Sequence, residues 1–295
     1  MVQTPTLRQL EYLVAIADLG SFHGAARACG VSQPGLSAQI RQLEALLDLR
    51  LLERGRRVLI SPAGEEVVRR ARVVLAEARG LVETASALQR PLCGTLRLGV
   101  IPTVAPYLLP RALPRVRRRH PELRLRLREA QTSDLVAALE RGELDVLLLA
   151  LEAPLGDLAT RALFRDPFHV ALPAGHRLAR RRRLREPDLA GEPVLLLDDG
   201  HCLRAQALAV CRDAGAEEQG DFRATSLGTL IEMVCGGAGL TLLPALSLKS
   251  EARRTGLAVV PFAKPEPYRT IGLAWRPSSG RAPEFALLAE SIAPA

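Results

Sequence analysis

The chain has 295 residues, enough for two or three compact domains, and its 48% hydrophobic and 24% charged content is that of a globular protein. Aromatic residues make up only 3%, which argues against a base-stacking surface for single-stranded nucleic acid. The net charge of +8 favours a polyanionic partner. There is no apolar run of the ~20 residues a membrane helix needs and no N-terminal apolar leader, so a cytoplasmic protein without a membrane partner is expected. In that reducing compartment Cys29, Cys93, Cys202, Cys211 and Cys235 are expected as thiols, any disulfide being transient and redox-linked.

Leu7, Leu10, Leu13, Val14 and Ala17 recur at three- and four-residue spacing and predict an amphipathic helix that breaks at Gly20-Ser21. Ser21 caps a second helix, Phe22 to Ala28, which Gly30 closes. Ser32 caps a third, with Pro34 in its first turn and Leu36, Ile40, Leu43 and Leu47 as its buried stripe. Helix, short turn and helix make a helix-turn-helix. Leu51-Leu52 and Val58-Leu59-Ile60 flank Glu53-Arg54-Gly55-Arg56-Arg57 and predict a two-stranded wing. A proline-free helix then runs from Ser61-Pro62 to about Leu88, with Val67, Val74, Leu75, Leu81, Val82 and Leu88 as its apolar series. A stripe that long predicts a linker that pairs with another chain.

From Pro91 the pattern becomes α/β. Strands are expected at Thr95–Ile101, Leu123–Glu129, Leu144–Leu149, Phe168–Leu172, Val194–Leu197, Leu240–Leu243 and Thr270–Trp275. Helices are expected from Ala105, over Ser133–Arg141, Gln206–Cys211 and Thr229–Val234, and at the C-terminus. Such alternation predicts a mostly parallel sheet. The expected organisation is α/β with an N-terminal all-α winged helix-turn-helix at 1–60, a linker helix at 61–90 and a two-lobed regulatory domain at 91–295. Lobe I would take about 91–162 and 268–295, lobe II about 163–267.

The major groove of B-DNA admits one α-helix, whose N-terminal residues reach base edges. Ser32, Gln33, Pro34 and Ser37 hold that position in the third helix; Gln33 can pair bidentately with adenine. Arg41 is expected to hold a backbone phosphate, and Arg54, Arg56 and Arg57 on the wing to enter a minor groove or grip phosphates. Residue by residue, helix caps and solvated charges explain these positions equally well. In order, however, Leu7-Arg8-Gln9-Leu10, Ser21-Phe22, Ala25-Ala26, Val31-Ser32-Gln33-Pro34-Gly35-Leu36-Ser37, Leu43-Glu44 and Leu51-Leu52-Glu53-Arg54 closely resemble the N-terminal domain of LysR-type transcription regulators. The resemblance implies a dimerising linker helix and a two-lobed effector domain like periplasmic binding proteins.

Cys202 and Cys211 lie nine positions apart around a predicted short helix. His201 and Arg204 offer positive charge that would favour a Cys202 thiolate, the form that attacks peroxide. Spacing alone fits two small buried hydrophobes as well. The stretches Asp199-Gly200-His201-Cys202-Leu203-Arg204, Ala214-Gly215-Ala216, Phe222-Arg223-Ala224-Thr225-Ser226-Leu227 and Ile271-Gly272-Leu273-Ala274-Trp275-Arg276-Pro277 are similar to the hydrogen-peroxide-sensing, OxyR-type branch of the family. That resemblance implies Cys202 as peroxidatic and Cys211 as resolving cysteine, with Thr103, Thr132, His201 and Arg276 supporting the peroxide pocket. It implies promoter DNA, hydrogen peroxide, further copies of the chain as homodimer or homotetramer, and RNA polymerase as partners. No cofactor, metal site or enzymatic turnover is expected. One departure stands out: Ala205 occupies a place where that branch usually carries an acid. A family member answering to a small metabolite between the lobes, with incidental cysteines, is the alternative. The Arg180–Arg183 run is left over, as a solvated loop or an additional DNA contact.

Overall fold

The structure, a computed structural model, describes residues 4–54, 58–213 and 215–294. The chain forms two compact units, residues 1–85 with 140–143 and residues 86–139 with 144–295.

In the first unit, α1 (Leu7–Leu19) opens on a reciprocal cap. The Gln9 amide donates to the Thr6 hydroxyl at 3.2 Å, and the Thr6 amide donates to the Gln9 side chain at 3.0 Å. Gly20, at φ 59°, ends the helix in the left-handed region. Ser21 and Ser32 cap α2 (Phe22–Ala28) and α3 (Gln33–Leu47) by accepting the amides of Gly24 at 3.2 Å and Gly35 at 3.3 Å. Leu13, Ile16, Leu36, Ile40 and Leu43 close the core between the three helices. β1 (Leu52–Arg54) and β2 (Val58–Ile60) pair antiparallel as the wing. α4 (Pro62–Gln89) buries Val68, Ala71 and Leu75 and leaves Val74, Leu81 and Val82 exposed.

In the second unit, β3 (Gly94–Val100), α5 (Ala105–Arg119), β4 (Leu123–Glu129), α6 (Thr132–Glu140) and β5 (Val146–Ala150) alternate as the sequence predicts. β3 pairs in parallel with β4 and with β5. The mostly parallel sheet does not continue beyond them. The long strand β6 (Ala159–Pro173) pairs antiparallel with β11 (Tyr268–Trp275) along its first part, then with β9 (Thr241–Pro244) and β10 (Leu257–Pro261). β11 also runs antiparallel to β5. The reason is topological: β6 leaves one core for a second, and β11 returns alongside it in the opposite sense.

The second core is built around β7 (Pro193–Leu197), α7 (Cys202–Asp213), β8 (Glu217–Ala224) and α8 (Leu227–Cys235). β7 and β8 pair in parallel. The first core packs β3 and β5 against α5 and the terminal α10 (Ala282–Ile292). Beneath it, the Asp145 carboxylate accepts from the Arg97 amide at 2.7 Å and its guanidinium at 2.6 Å, with Arg281 at 3.8 Å. Arg281 in turn holds Glu284 at 2.9 Å. Replacing Asp145 by Ala strips that carboxylate from two arginines, and denaturant unfolding of Asp145→Ala should show a loss of about 3 kcal/mol.

Candidate functional site

β7 delivers the chain into the turn Asp198–His201, and α7 begins at Cys202. That turn is sharp enough to need glycine: Gly200 has φ 90°, and the Gln131 side chain fills the place a β-carbon would take. Gln131 and Thr132 come from the start of α6, and Ile101, Pro102 and Thr103 from the turn after β3. With His201 and Cys202 they line one small crevice. Four of the residues singled out by sequence, Thr103, Thr132, His201 and Cys202, therefore meet in one place.

Their polar atoms are set unequally. The Thr132 hydroxyl is buried without a hydrogen-bond partner. The Thr103 hydroxyl accepts from the Arg269 guanidinium at 2.8 Å, and a second Arg269 nitrogen donates to the Thr103 carbonyl at 3.1 Å. Arg269 is wholly buried and pairs with Asp166 at 3.0 Å, its register partner across β6 and β11. An Arg-held hydroxyl has its oxygen committed as acceptor, so its own proton remains to be donated. Neither Arg269 nor Asp166 is among the residues expected from sequence. The available signal was parity: Arg269 occupies the inward phase that Ile271 and Leu273 share along β11.

Arg276 is placed differently from the expectation. Its guanidinium donates to the carbonyls of Leu139 at 2.5 Å and Leu144 at 2.9 Å, tying the α6–β5 turn, and it does not line the crevice. The charge expected from His201 is also absent at neutral pH, because burial pushes the imidazole below its ordinary value and the neutral ring is favoured. Arg204 is engaged by Asp199 at 2.9 Å, and Asp199 also holds Arg223 at 2.5 Å.

Cys211 has a different environment. It lies in the apolar core with Leu203 and Ala207, and burial pushes its thiol up to about 12. Both cysteines are free thiols. Nine helical steps separate their Cα atoms by about 13 Å along the axis. A disulfide needs ~4.4–6.8 Å.

On α3, Ser32, Gln33, Pro34 and Arg41 are exposed and Ser37 is half-buried on the first turns. The Ser32 oxygen is occupied as a cap, leaving its proton for a partner. Arg54 belongs to β1 by its backbone; its side chain, and Arg56 and Arg57, lie outside the described residues. A groove between α3 and the wing carries Arg41 and also Arg50, which sequence reading passed over. Among the described residues, no helix is long and apolar enough to cross a membrane, and no cluster of His, Cys, Asp and Glu is placed to hold a metal ion.

Residues 7–65 match the bacterial regulatory helix-turn-helix proteins of the LysR family, and residues 89–295 match the LysR substrate binding domain. The chain belongs to the LysR family. It is 48% identical over 287 residues, 97% of this chain and 94% of the relative, to the DNA-binding transcriptional dual regulator OxyR of Escherichia coli K12. A probable hydrogen peroxide-inducible genes activator from Streptomyces viridosporus is 46% identical over 291 residues, 98% of this chain and 93% of the relative. Among solved structures, a full-length cysteine-to-aspartate OxyR from Pseudomonas aeruginosa superposes with a TM-score of 0.79 at 36% identity, covering 98% of each chain. A hydrogen-peroxide-bound cysteine-to-serine OxyR from Corynebacterium glutamicum does so at 0.68 and 37% identity, covering 99% of this chain and 92% of that one.

The raised Cys211 value carries a sign that can be measured. Above the ordinary thiol value the unfolded chain releases this proton while the folded chain keeps it, so Cys211 makes stability fall as pH rises through the window from 9 towards 12. Between pH 9 and 10.5, Cys211→Ala should lose about 1–2 kcal/mol less than the parent, at ~1.4 kcal/mol per pH unit. Equal slopes for the two proteins in paired urea titrations would contradict this burial.

Proposed function

We propose that this chain is a DNA-binding transcription regulator that senses hydrogen peroxide at Cys202 and activates genes of peroxide defence. The observation that carries the reading is the crevice, where a cysteine at a helix start and two buried threonines line one small space. The similarity to peroxide-inducible activators over nearly the whole chain points the same way.

In this reading the Cys202 thiolate attacks one peroxide oxygen, the O–O bond breaks, and the departing hydroxide takes a proton to leave as water. The hydroxyls of Thr103 and Thr132 hold the peroxide, with His201 as a neutral donor or acceptor. The sulfenic acid formed at Cys202 is then attacked by the sulfur of Cys211; the S–O bond breaks, water leaves after protonation, and the disulfide closes. Cys211 can act only after α7 opens, since the helix holds it too far away and its burial keeps it protonated. Arg276 supports this site from outside, through the α6–β5 turn that it ties.

The remaining assignments follow from the same reading. Residues 1–60 read DNA through Ser32, Gln33, Pro34, Ser37 and Arg41, with Arg54 and Arg56 on the wing gripping the backbone. Residues 61–90 pair two copies through the uncovered stripe of α4, and residues 91–295, in two lobes, carry the switch. The working form is a homodimer or homotetramer on promoter DNA in the cytoplasm, in contact with RNA polymerase, without enzymatic turnover.

Stoichiometric peroxide followed by peptide mass mapping should give a Cys202–Cys211 link, absent in Cys202→Ser. Cys211→Ser should instead accumulate a trappable sulfenic acid at Cys202. Amide exchange across residues 203–213 should rise at least tenfold on oxidation. A Cys202 that stays a thiol in excess peroxide, with an unchanged promoter footprint, would sink the reading and leave a regulator of some other signal.

A further inference from the structure

One strongly charged surface has no part in the site above. Between β6 and β7, residues 176–192 hold Arg177, Arg180, Arg181, Arg182, Arg183 and Arg185 against only Glu186, Asp188 and Glu192. All six arginines are exposed, yet the segment that carries them is pinned. Leu178, Leu184 and Leu189 are buried in the second core and anchor it at three points. The Leu184 amide donates to the Pro261 carbonyl at 3.0 Å, and its carbonyl accepts from Ala263 at 2.7 Å. The backbone around the arginine run therefore has a fixed course, and the side chains between the anchors are displayed outward.

The carboxylates pair with only two of the six guanidiniums among the described residues. Glu192 takes Arg177 at 2.5 Å, and Asp188 takes Arg181 at 3.2 Å. Arg183 donates to the Phe262 carbonyl at 3.2 Å, which fixes the guanidinium and leaves its charge uncompensated. Among the described residues the guanidiniums of Arg180, Arg182 and Arg185 have no carboxylate partner, although Asp188 accepts the Arg185 backbone amide at 2.7 Å. Four guanidiniums on a rigid loop form a preorganised anion-binding surface, and arginine's planar fork matches phosphate oxygens.

Two classes of polyanion present themselves, duplex DNA and an acidic protein. Stable protein contacts set arginines beside aromatic or apolar anchors that are buried together. No exposed large hydrophobic residue lies between 174 and 192. An array of cations without apolar anchors fits a phosphate backbone, whose contacts position a protein on the duplex without reading its sequence. We propose that the Arg180–Arg185 loop is a second, sequence-independent phosphate-binding surface, which holds duplex DNA in addition to the bases read by the helix-turn-helix. The proposal rests on the chain being a DNA-binding regulator.

The test uses the full-length protein and a random-sequence 60-base-pair duplex, with affinity measured by fluorescence anisotropy across a salt series. Each phosphate contact adds ~0.9 to the slope of log affinity against log salt. The triple variant Arg180→Gln, Arg182→Gln, Arg185→Gln should lower that slope by about 2–3 and weaken binding about tenfold near 100 mM salt. Its melting temperature should match the parent, since these side chains hold nothing in place. A slope and affinity equal to the parent would overturn the proposal while the regulator reading stands, provided that Arg41→Gln weakens binding in the same assay. Unchanged DNA binding with lost retention of polyglutamate would overturn it in favour of an acidic protein. A parent that binds no duplex at all would remove both readings together.

Discussion

An α-helix is a ruler, and α7 uses that property to separate two sulfurs. Its rise of ~1.5 Å per residue leaves Cys202 and Cys211 about 13 Å apart for as long as its backbone hydrogen bonds hold. The separation is reinforced by packing, because Leu203, Ala207 and Cys211 fall at four-residue spacing and make one buried stripe. Drawing Cys211 towards Cys202 exposes that whole stripe, and burying one leucine alone contributes ~1.5–3 kcal/mol. A second barrier lies in the chemistry, since a thiol pushed up to about 12 is no nucleophile at neutral pH. Reach and ionisation thus fail together in the folded helix, and under the proposed function both barriers fall only when it opens, which would set the order of the two steps.

The crevice depends on a different kind of rigidity. Arg269 and Asp166 are both buried, and removing either would leave an uncompensated charge inside the domain. Besides the guanidinium, Asp166 accepts the Leu246 amide at 2.8 Å, so its oxygens are distributed between the two crossover strands and the segment after β9. The Thr103 wall of the crevice is therefore held by strands that α7 does not include. Opening the helix can move Cys202 away from a pocket whose Thr103 wall stays in place.

Much of this was legible in sequence where the determinants are local. Ser21, Ser32 and Gly20 mark helix ends because a cap or a left-handed residue acts within a few positions. The crevice was only half legible. Thr103, Thr132, His201 and Cys202 were reached through the family motifs, whereas Arg269 and Asp166 are 103 positions apart and joined only by strand register. β8 was missed because Glu217, Glu218, Gln219 and Asp221 give it no apolar alternation, and the first part of β6 is largely exposed. Charge was the least legible quantity. A histidine beside a cysteine suggests a cation, and burial decides otherwise at His201.

Position 205 shows how such local rules are answered by geometry. Where the peroxide-sensing branch usually carries an acid, this chain has an exposed alanine, and a loss of charge balance around Arg204 would follow if no carboxylate replaced it. Asp199 supplies one from the preceding turn and holds Arg223 of β8 at the same time. The pairing differs from an i,i+1 acid in what it connects: it ties the first turn of α7 to the loop before Cys202 and to a separate strand. Surface-exposed on the aspartate side, it stabilises by little, about 0–1 kcal/mol. Its effect is on coupling, because any unwinding that turns Arg204 away from Asp199 also leaves Arg223 as the sole cation on that carboxylate. The start of the helix and strand β8 are thus joined through one exposed carboxylate.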